Sequence, residues 1–265
     1  MTPRVSVIVP VYNGAAYIGD TVASVLRQTD ANFELLISDD GSTDDSLEIA
    51  GASHDPRIRL MPYAENTGSP MAAINRGIRM SRGDFIAILA ADDLLTPESL
   101  ARRVAAFRPS DVLVCGQCVT IPEEATLAEA DEAARLGPDT RFTVGPDGTL
   151  RLSRPLRYFY GPTNMLRRAV FTEYGPFDGS LPGKQDREMW VRLFGEDRQR
   201  TDRGTFTCLP DVVGCFRVRH GYGYHLRQRT DQAEMIAAAL AAVAVAEAAR
   251  PRCRAELVGQ PTSLF

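Results

Sequence analysis

Residues Val5-Ser6-Val7-Ile8-Val9-Pro10-Val11 form an almost unbroken apolar run, and this feature narrows the fold more than any other. A strand with one wet face alternates apolar and polar residues. A strand apolar at successive positions has both faces covered, as in a parallel sheet flanked by helices. Ile18, Val22, Val25 and Leu26 follow at helical spacing. The alternation then continues with a strand over 33–38 and a helix capped by Ser42, with Asp45 three residues on. A short strand over 58–61, a helix over 71–80 and a strand over 85–90 come next, and Thr96-Pro97-Glu98 reads as cap, first position and acidic first turn of another helix. Strands alternating with helices predict an α/β fold with a mostly parallel, Rossmann-like sheet flanked by helices. Ligands of such sheets bind at the carboxyl ends of the strands. Two of those ends carry paired acids, Asp39-Asp40 and Asp92-Asp93.

The second half is less regular. A strand is expected over 111–121, then a polar, exposed or mobile insertion over 122–150, a turn and helix over 161–173, and a strong helix over 184–194. One or two short strands over 206–218 and an alanine-rich helix over 231–250 follow, with a loose tail at the end. The chain has 265 residues, enough for one large domain. A formal net charge of −4 gives no electrostatic reason to expect nucleic acid. The apolar run at 5–11 starts too early for a secretory leader, and the longest other apolar stretch falls short of the ~20 residues a membrane-spanning helix needs. Cys115 and Cys118 would point to opposite faces of one strand. They read as reduced cysteines, and the expected location is cytoplasmic.

Carboxylates at strand ends suit a hard divalent cation, which takes oxygen ligands. They serve equally as caps of the following helices. The turn Pro10-Val11-Tyr12-Asn13-Gly14 lacks the G-x-G-x-x-G pattern, and no Walker A pattern is present. Any nucleotide diphosphate would therefore look to a metal on Asp92 or Asp93. Further on, Asp186 shares the apolar face of Met189, Trp190 and Leu193 at i, i+3, i+4 and i+7. Periodicity alone leaves two readings for it, a partner of the helix dipole or an acid aimed into a site.

The order of these blocks carries more than any one of them. Residues 5–13 closely resemble the opening of the family-2 glycosyltransferases of the GT-A fold. Asp39-Asp40-Gly41-Ser42-Thr43-Asp44-Asp45-Ser46 resembles that family's next block, and Gly83 through Asp93, with Pro97 following, resembles its metal-binding segment. The resemblance implies a nucleotide-sugar-binding half over 1–120, a smaller acceptor-side half of the same catalytic domain over 121–228, and a C-terminal helix and tail over 229–265. It implies that Pro10, Tyr12, Asp40 and Ala91 contact the nucleotide, with Asp40 accepting from the base, as suits the imide of uracil. Asp92 would hold Mn²⁺ or Mg²⁺, with His220 as a second contact or an ordinary surface histidine. Asp186 matches the second residue of the family's Glu-Asp-x-Asp-Leu-Trp motif, its general base. Thr163 and Asn164 fall where the family places an acceptor-side loop, and Trp190 is either core or sugar platform.

Three positions depart from the family pattern. Ala90 replaces the first acid of the usual Asp-x-Asp, Ile74 replaces an arginine often found before Asn75, and Gln185 replaces the acid preceding the base. The function implied is inverting transfer of a sugar from a nucleotide-sugar, a UDP-sugar first and a dTDP-sugar next, to an unidentified acceptor. Two alternatives are a catalytically silent nucleotide-sugar-binding protein, favoured by Ala90, and a nucleotidyltransferase, which would want a basic phosphate loop after the first strand. The helix over 231–250 is expected to pack on the catalytic domain or to form a homodimer.

Overall fold

The computed structural model describes residues 2–135, 142–144, 150–152, 162–179, 185–194, 205–219 and 256–257. The first part follows the alternation read above: β1 (Val5–Val11), α1 (Ile18–Leu26), β2 (Phe33–Asp39), α2 (Ser46–Gly51), β3 (Ile58–Met61), α3 (Pro70–Met80), β4 (Phe85–Ile88), β5 (Leu94–Leu95) and α4 (Ser99–Ala106). Then come β6 (Asp111–Pro122), α5 (Leu127–Arg135), β7 (Phe142–Val144), β8 (Leu150–Leu152), β9 (Asn164–Arg167), α6 (Ala169–Glu173), α7 (Gln185–Phe194), β10 (Thr205–Val218) and β11 (Glu256–Leu257).

One nine-stranded sheet runs in the order β11-β10-β6-β9-β4-β1-β2-β3, with β5 paired to β10. Strands β1, β2, β3 and β4 are mutually parallel where they pair, as are β6, β10 and β11. β9 lies antiparallel between β4 and β6 and joins the two parallel blocks. The apolar run of β1 is divided between two cores. Val5, Val7, Val9 and Val11 pack with α1 and α4, whereas Ile8 packs with Ile74 and Ile78 of α3 and with Met189 and Leu193 of α7. Leu35 and Ile37 of β2 join the first cluster and Leu36 the second. The strand period of two, applied to a sheet covered on both faces, is thus the reason the run is unbroken. At Gly77 of α3 an added Cβ would lie 2.4 Å from Ile8 Cγ2, so glycine sets how closely that helix approaches β1.

Several expectations need correcting. Ser42 does not cap α2: the helix starts at Ser46, and the Ser42 hydroxyl accepts from Asn13 N instead. α4 begins at Ser99 without a side-chain cap, and the Thr96 hydroxyl donates to Val212 O of β10. Strand β4 ends at Ile88, although Leu89 N still donates to Ile8 O. Residues 164–167 form a strand rather than part of a turn leading to a helix, for Met165 and Leu166 are fully covered in mid-sheet. The stretch 122–150 is not simply an exposed insertion. Ala125 and Ala130 are buried with Leu94, Val119, Ile121 and Cys215, and Asp131 of α5 forms a two-pronged ion pair with Arg27, which follows α1. β7 and β8 form a separate antiparallel pair. The expected tail contributes β11. Cys115 and Cys215 are buried and Cys118 is partly covered. The helix expected over 231–250, and any dimer built on it, lies outside the described residues. Among the described residues no helix is long and apolar enough to cross a membrane.

Glu34 of β2 pins the start of β1 to the segment before β4. Its buried carboxylate accepts from Ser6 Oγ at 2.7 Å, Arg82 N at 2.6 Å and Arg59 Nη1 at 2.7 Å. Burial alone raises its pKa, but the hydrogen bonds from Ser6, Arg59 and Arg82 outweigh burial and hold it below the ordinary 4.5. A depressed folded pKa stabilises above the unfolded value and is lost as pH falls through the folded one. Melting temperatures of wild type and Glu34→Gln, compared between about pH 7 and about pH 3, are therefore expected to differ most near neutrality and to converge in acid. A gap that stays constant with pH excludes this linkage.

Candidate active site

The loops leaving the carboxyl ends of β1, β2 and β4 are knitted together before any ligand arrives. Asn13 adopts φ 50°, a left-handed conformation that asparagine tolerates. Its side-chain oxygen accepts from Thr43 N at 2.8 Å, while Asn13 N donates to Ser42 Oγ at 2.9 Å and Gly14 N to Ser46 Oγ at 2.8 Å. Ala15 N donates to Asp44 at 3.0 Å. The serine- and aspartate-rich block after β2 thus satisfies the backbone of the turn after β1. An added Cβ on Gly14 would lie 3.5 Å from Ala91 Cβ, so the loop after β4 abuts the same turn. Thr21 of α1, fully buried, donates from its hydroxyl to Ala91 O at 2.8 Å and Asp93 O at 2.9 Å.

Between β1, β2 and the start of α3 lies a cavity of about 350 Å³, lined by Pro10, Tyr12, Asp40, Asn66, Ser69 and Ala73 among others. That volume suits a small ligand. Tyr12 is half exposed and offers a ring at the wall. Asp39 does not face it: its carboxylate accepts from Gly41 N and Ser42 N at 3.2 Å, closing the turn. Gly41, at φ 80°, is required there, because a Cβ would meet Asn66 N at 2.7 Å. Asp40 does reach the cavity, and its carboxylate accepts from Thr67 N at 3.1 Å and from the Thr67 hydroxyl. Ile74 is buried in the core, so no basic group extends from that position. Arg76 supplies a guanidinium nearby instead, donating to Ser38 Oγ at 3.2 Å and Asp39 O at 2.5 Å and stacking 4.4 Å from the Tyr63 ring centroid.

The two acids after β4 differ sharply. Asp93 is buried and accepts from Arg217 N at 3.1 Å. Burial pushes its carboxyl well above the usual carboxylate range, and the neighbouring Asp92 charge pushes it further. Asp92 is partly open, and its carboxylate lies 2.9 Å from Arg219 Nε. Arg217, almost wholly buried, donates to Asp92 O at 3.1 Å, Glu123 O at 2.6 Å, Ala125 O at 2.8 Å and Asp20 Oδ2 at 3.2 Å. Both guanidinium groups lie under 6 Å from the Tyr17 ring centroid, and the Tyr17 hydroxyl donates to Glu123. The hydrogen bond to Glu123 raises the Tyr17 pKa, burial adding to it. His220 was expected either here or as an ordinary surface histidine. His220 lies outside the described residues, and the side chain found against Asp92 is Arg219. Arg217 and Arg219 alternate along one strand end, a spacing that puts both on one face and was a legible signal. Thr67 and Arg76 carried no such signal, since their partners are distant in sequence.

Among the described residues there is no cluster of three or more metal-ligating side chains. Asp92 is one carboxylate, and Ala90 adds none. Such a site fits a cation that arrives with most of its oxygen ligands on a diphosphate, the habit of Mg²⁺, rather than one held in a protein cage.

At the start of β9, Thr163 and Asn164 are buried. Thr163 O accepts from Gly116 N and Asn164 O from Arg103 Nη1 at 2.9 Å. Arg103 is fully buried on neutral oxygens of Ser99, Pro162 and Asn164, and burial lowers its pKa to about 9. Trp190 packs against the second core cluster. Asp186 is the second residue of α7. That helix is fixed by the buried Met189 and Leu193 and by Arg192, which donates to Pro176 O at 2.7 Å. Asn75 completes the tie: its side chain donates to Phe177 O at 2.7 Å and accepts from Phe177 N at 3.0 Å, strapping the segment before α7 to α3.

Comparison with known proteins bears on this arrangement. The chain is 30% identical over 194 residues to an uncharacterized glycosyltransferase of Rickettsia conorii, covering 72% of this chain and 31% of that protein. It is 40% identical over 97 residues to the glycosyltransferase GlyG of Streptococcus pneumoniae, covering 36% of this chain and 32% of GlyG. The chain spans between 31% and 59% of the length of the first of its curated relatives. Its fold matches S. aureus TarS 1–349 in complex with UDP-GlcNAc at a TM-score of 0.62 and 21% identity, over 82% of this chain and 59% of that one. It also matches the mannosyltransferase PcManGT of Pyrobaculum calidifontis in complex with GDP-Man and Mn²⁺, at 0.60 and 22%, over 86% and 60%. Both show a GT-A architecture, as the sequence led us to expect. The glycosyl transferase family 2 profile matches residues 6–175, more than half of the sequence and all three strand-end loops of the site, and the chain therefore belongs to that family.

Proposed function

We propose that this chain transfers a glycosyl group from a nucleoside-diphosphate sugar, a UDP-sugar first, to an acceptor hydroxyl with inversion. The observation that carries the reading is the cavity walled by Pro10, Tyr12 and Asp40 at the carboxyl ends of β1 and β2, beside the Asp92 loop. Tyr12 packs against the base and Asp40 accepts from it. Ala91 lies at the diphosphate, where its backbone is fixed by Thr21. Asp92 would hold a divalent cation, which would supply Lewis-acid stabilisation to the diphosphate leaving group. Arg219 adds positive charge at the same place. Asp186 removes the acceptor's proton, and Thr163, Asn164 and Trp190 shape the acceptor side, the first two by setting the backbone around it. The neighbours' ligands, UDP-GlcNAc in TarS and GDP-Man with Mn²⁺ in PcManGT, support a donor of this class.

Thermal shift with UDP, in EDTA and in MnCl₂, tests the donor half without an acceptor. A ligand at 100 times Kd adds about 2.7 kcal/mol, so a clear rise in melting temperature is expected, larger with Mn²⁺. Asp92→Ala is expected to lose the Mn²⁺ increment and keep the response in EDTA. Asp93→Ala is expected to keep the increment and melt lower without ligand, because Arg217 N loses its acceptor. An equal Mn²⁺ increment in wild type and Asp92→Ala removes Asp92 from the metal.

A further inference from the structure

We infer that Thr67 is a specificity-determining residue that makes the nucleotide site reject guanosine diphosphate and accept a base with a single imide donor. The inference rests on the reading of Asp40 as the residue that meets the base. The Thr67 hydroxyl oxygen lies 3.0 Å from Asp40 Oδ1 and 2.9 Å from Oδ2, so it is equidistant from the two oxygens. A hydrogen-bonding donor equidistant from both sits in the fork of the carboxylate. Thr67 N, 3.1 Å from Oδ2, holds the group in that orientation. A carboxylate offers about four lone-pair directions over its two oxygens. The two that converge on the fork are filled by Thr67, and only outward ones remain.

Nucleobases differ in what they need from an acid. Guanine presents two adjacent donors, N1–H and the N2 amino group, and pairs with a carboxylate through both oxygens at once, which requires the fork. Uracil and thymine present one N3–H, which one outward lone pair satisfies. Cytosine and adenine set a ring-nitrogen lone pair beside their amino group, which a carboxylate repels. Asp40 is almost wholly buried, so a base that cannot pair with it leaves a charged acceptor short of a partner away from water. The loop that presents Thr67 also lines the cavity through Asn66, Gly68 and Ser69. Ser69 caps α3, donating no side-chain proton there but accepting from Met71 N at 3.3 Å, which fixes the loop's exit. The geometry is thus built into the wall of the site and is present before the nucleotide binds.

Calorimetric titration with UDP and GDP, in the same MnCl₂ buffer, tests this. Wild type is expected to bind UDP at least about tenfold more tightly than GDP, the equivalent of one hydrogen bond to a charged group. Thr67→Ala empties the fork and is expected to bring the two affinities together, mainly by tightening GDP. Thr67→Ser keeps the hydroxyl and is expected to restore the preference. Equal or tighter GDP binding by wild type overturns the inference, and so does an unchanged ratio in Thr67→Ala. Should Thr67→Ala fail to fold, the wild-type ratio and its retention in Thr67→Ser decide the matter. Failure of every nucleoside diphosphate to bind overturns the donor reading itself and this inference with it, an outcome distinct from binding without preference.

Discussion

Asp186→Asn is expected to leave UDP binding near the wild-type value and to lower the rate of sugar transfer by a factor on the order of 10² to 10⁴, the range of general-base catalysis. Helix α7 is the reason. Met189 and Leu193 are buried against α3 and the sheet, and Asp186 stands three and seven positions before them, on the same helical face and in the first turn. The helix cannot turn about its axis without exposing those side chains, which would cost roughly 1.5–3 kcal/mol each. Arg192 and the Asn75–Phe177 strap fix it further against α3, whose N-terminal residues line the cavity beside Tyr12 and Asp40. Asparagine keeps the shape and capping ability of aspartate but cannot accept a proton. A role as a helix cap therefore tolerates the change, whereas a role as base does not. The nearest other acid on α7, Glu188, is paired with Arg192 at 2.7 Å, which leaves it badly placed to substitute. Transfer at wild-type rates by Asp186→Asn removes this residue from the chemistry.

Arg217→Met is expected to destabilise the chain by about 2–5 kcal/mol in urea unfolding, with Arg217→Lys recovering only part of the loss. Methionine replaces the volume of the side chain but none of its donors. Three backbone oxygens, those of Asp92, Glu123 and Ala125, then lose their hydrogen-bond partner in a place that is almost fully covered. Each unsatisfied buried acceptor costs about 1–3 kcal/mol, reduced wherever water can enter. Lysine can serve one or two of the three, since its ammonium lacks the planar fork of a guanidinium. The substitution also removes the tie from β10 to Asp92 O, while the residue-217 amide still holds Asp93, so the Mn²⁺ increment in UDP binding is expected to shrink in both variants. A loss below about 0.5 kcal/mol, the usual effect of an ordinary surface change, is incompatible with Arg217 as the anchor of this loop.

The separation between what the two levels of description reveal runs along sequence distance. β1, β2, β3, α1 and α3 were legible because each is announced by its own residues: an apolar run for a doubly covered strand and 3.6-residue spacing for a helix. The paired acids at two strand ends were legible for the same reason, and so was the family. Helix α5 and strand β9 were not. α5 mixes alanines with charged residues and is held by the buried Ala130, by Ala125 just before it and by an ion pair to Arg27 at the end of α1. β9 is only four residues long and takes its hydrogen bonds from β4 and β6, more than forty residues away on either strand.

The acids themselves divide in the same way. The sequence by itself determined that the strand ends carry Asp40, Asp92 and Asp93, because residue type and order in three consecutive blocks are local properties. Only the tertiary structure decided what each acid does. Burial under β10 neutralises the tendency of Asp93 to ionise and makes it an anchor, while openness leaves Asp92 for a charged partner, here Arg219. The fork of Asp40 is filled by Thr67, twenty-seven residues further along the chain. Burial and hydrogen bonding depend on which distant segments the sheet brings together, and no period or motif within a single segment encodes that.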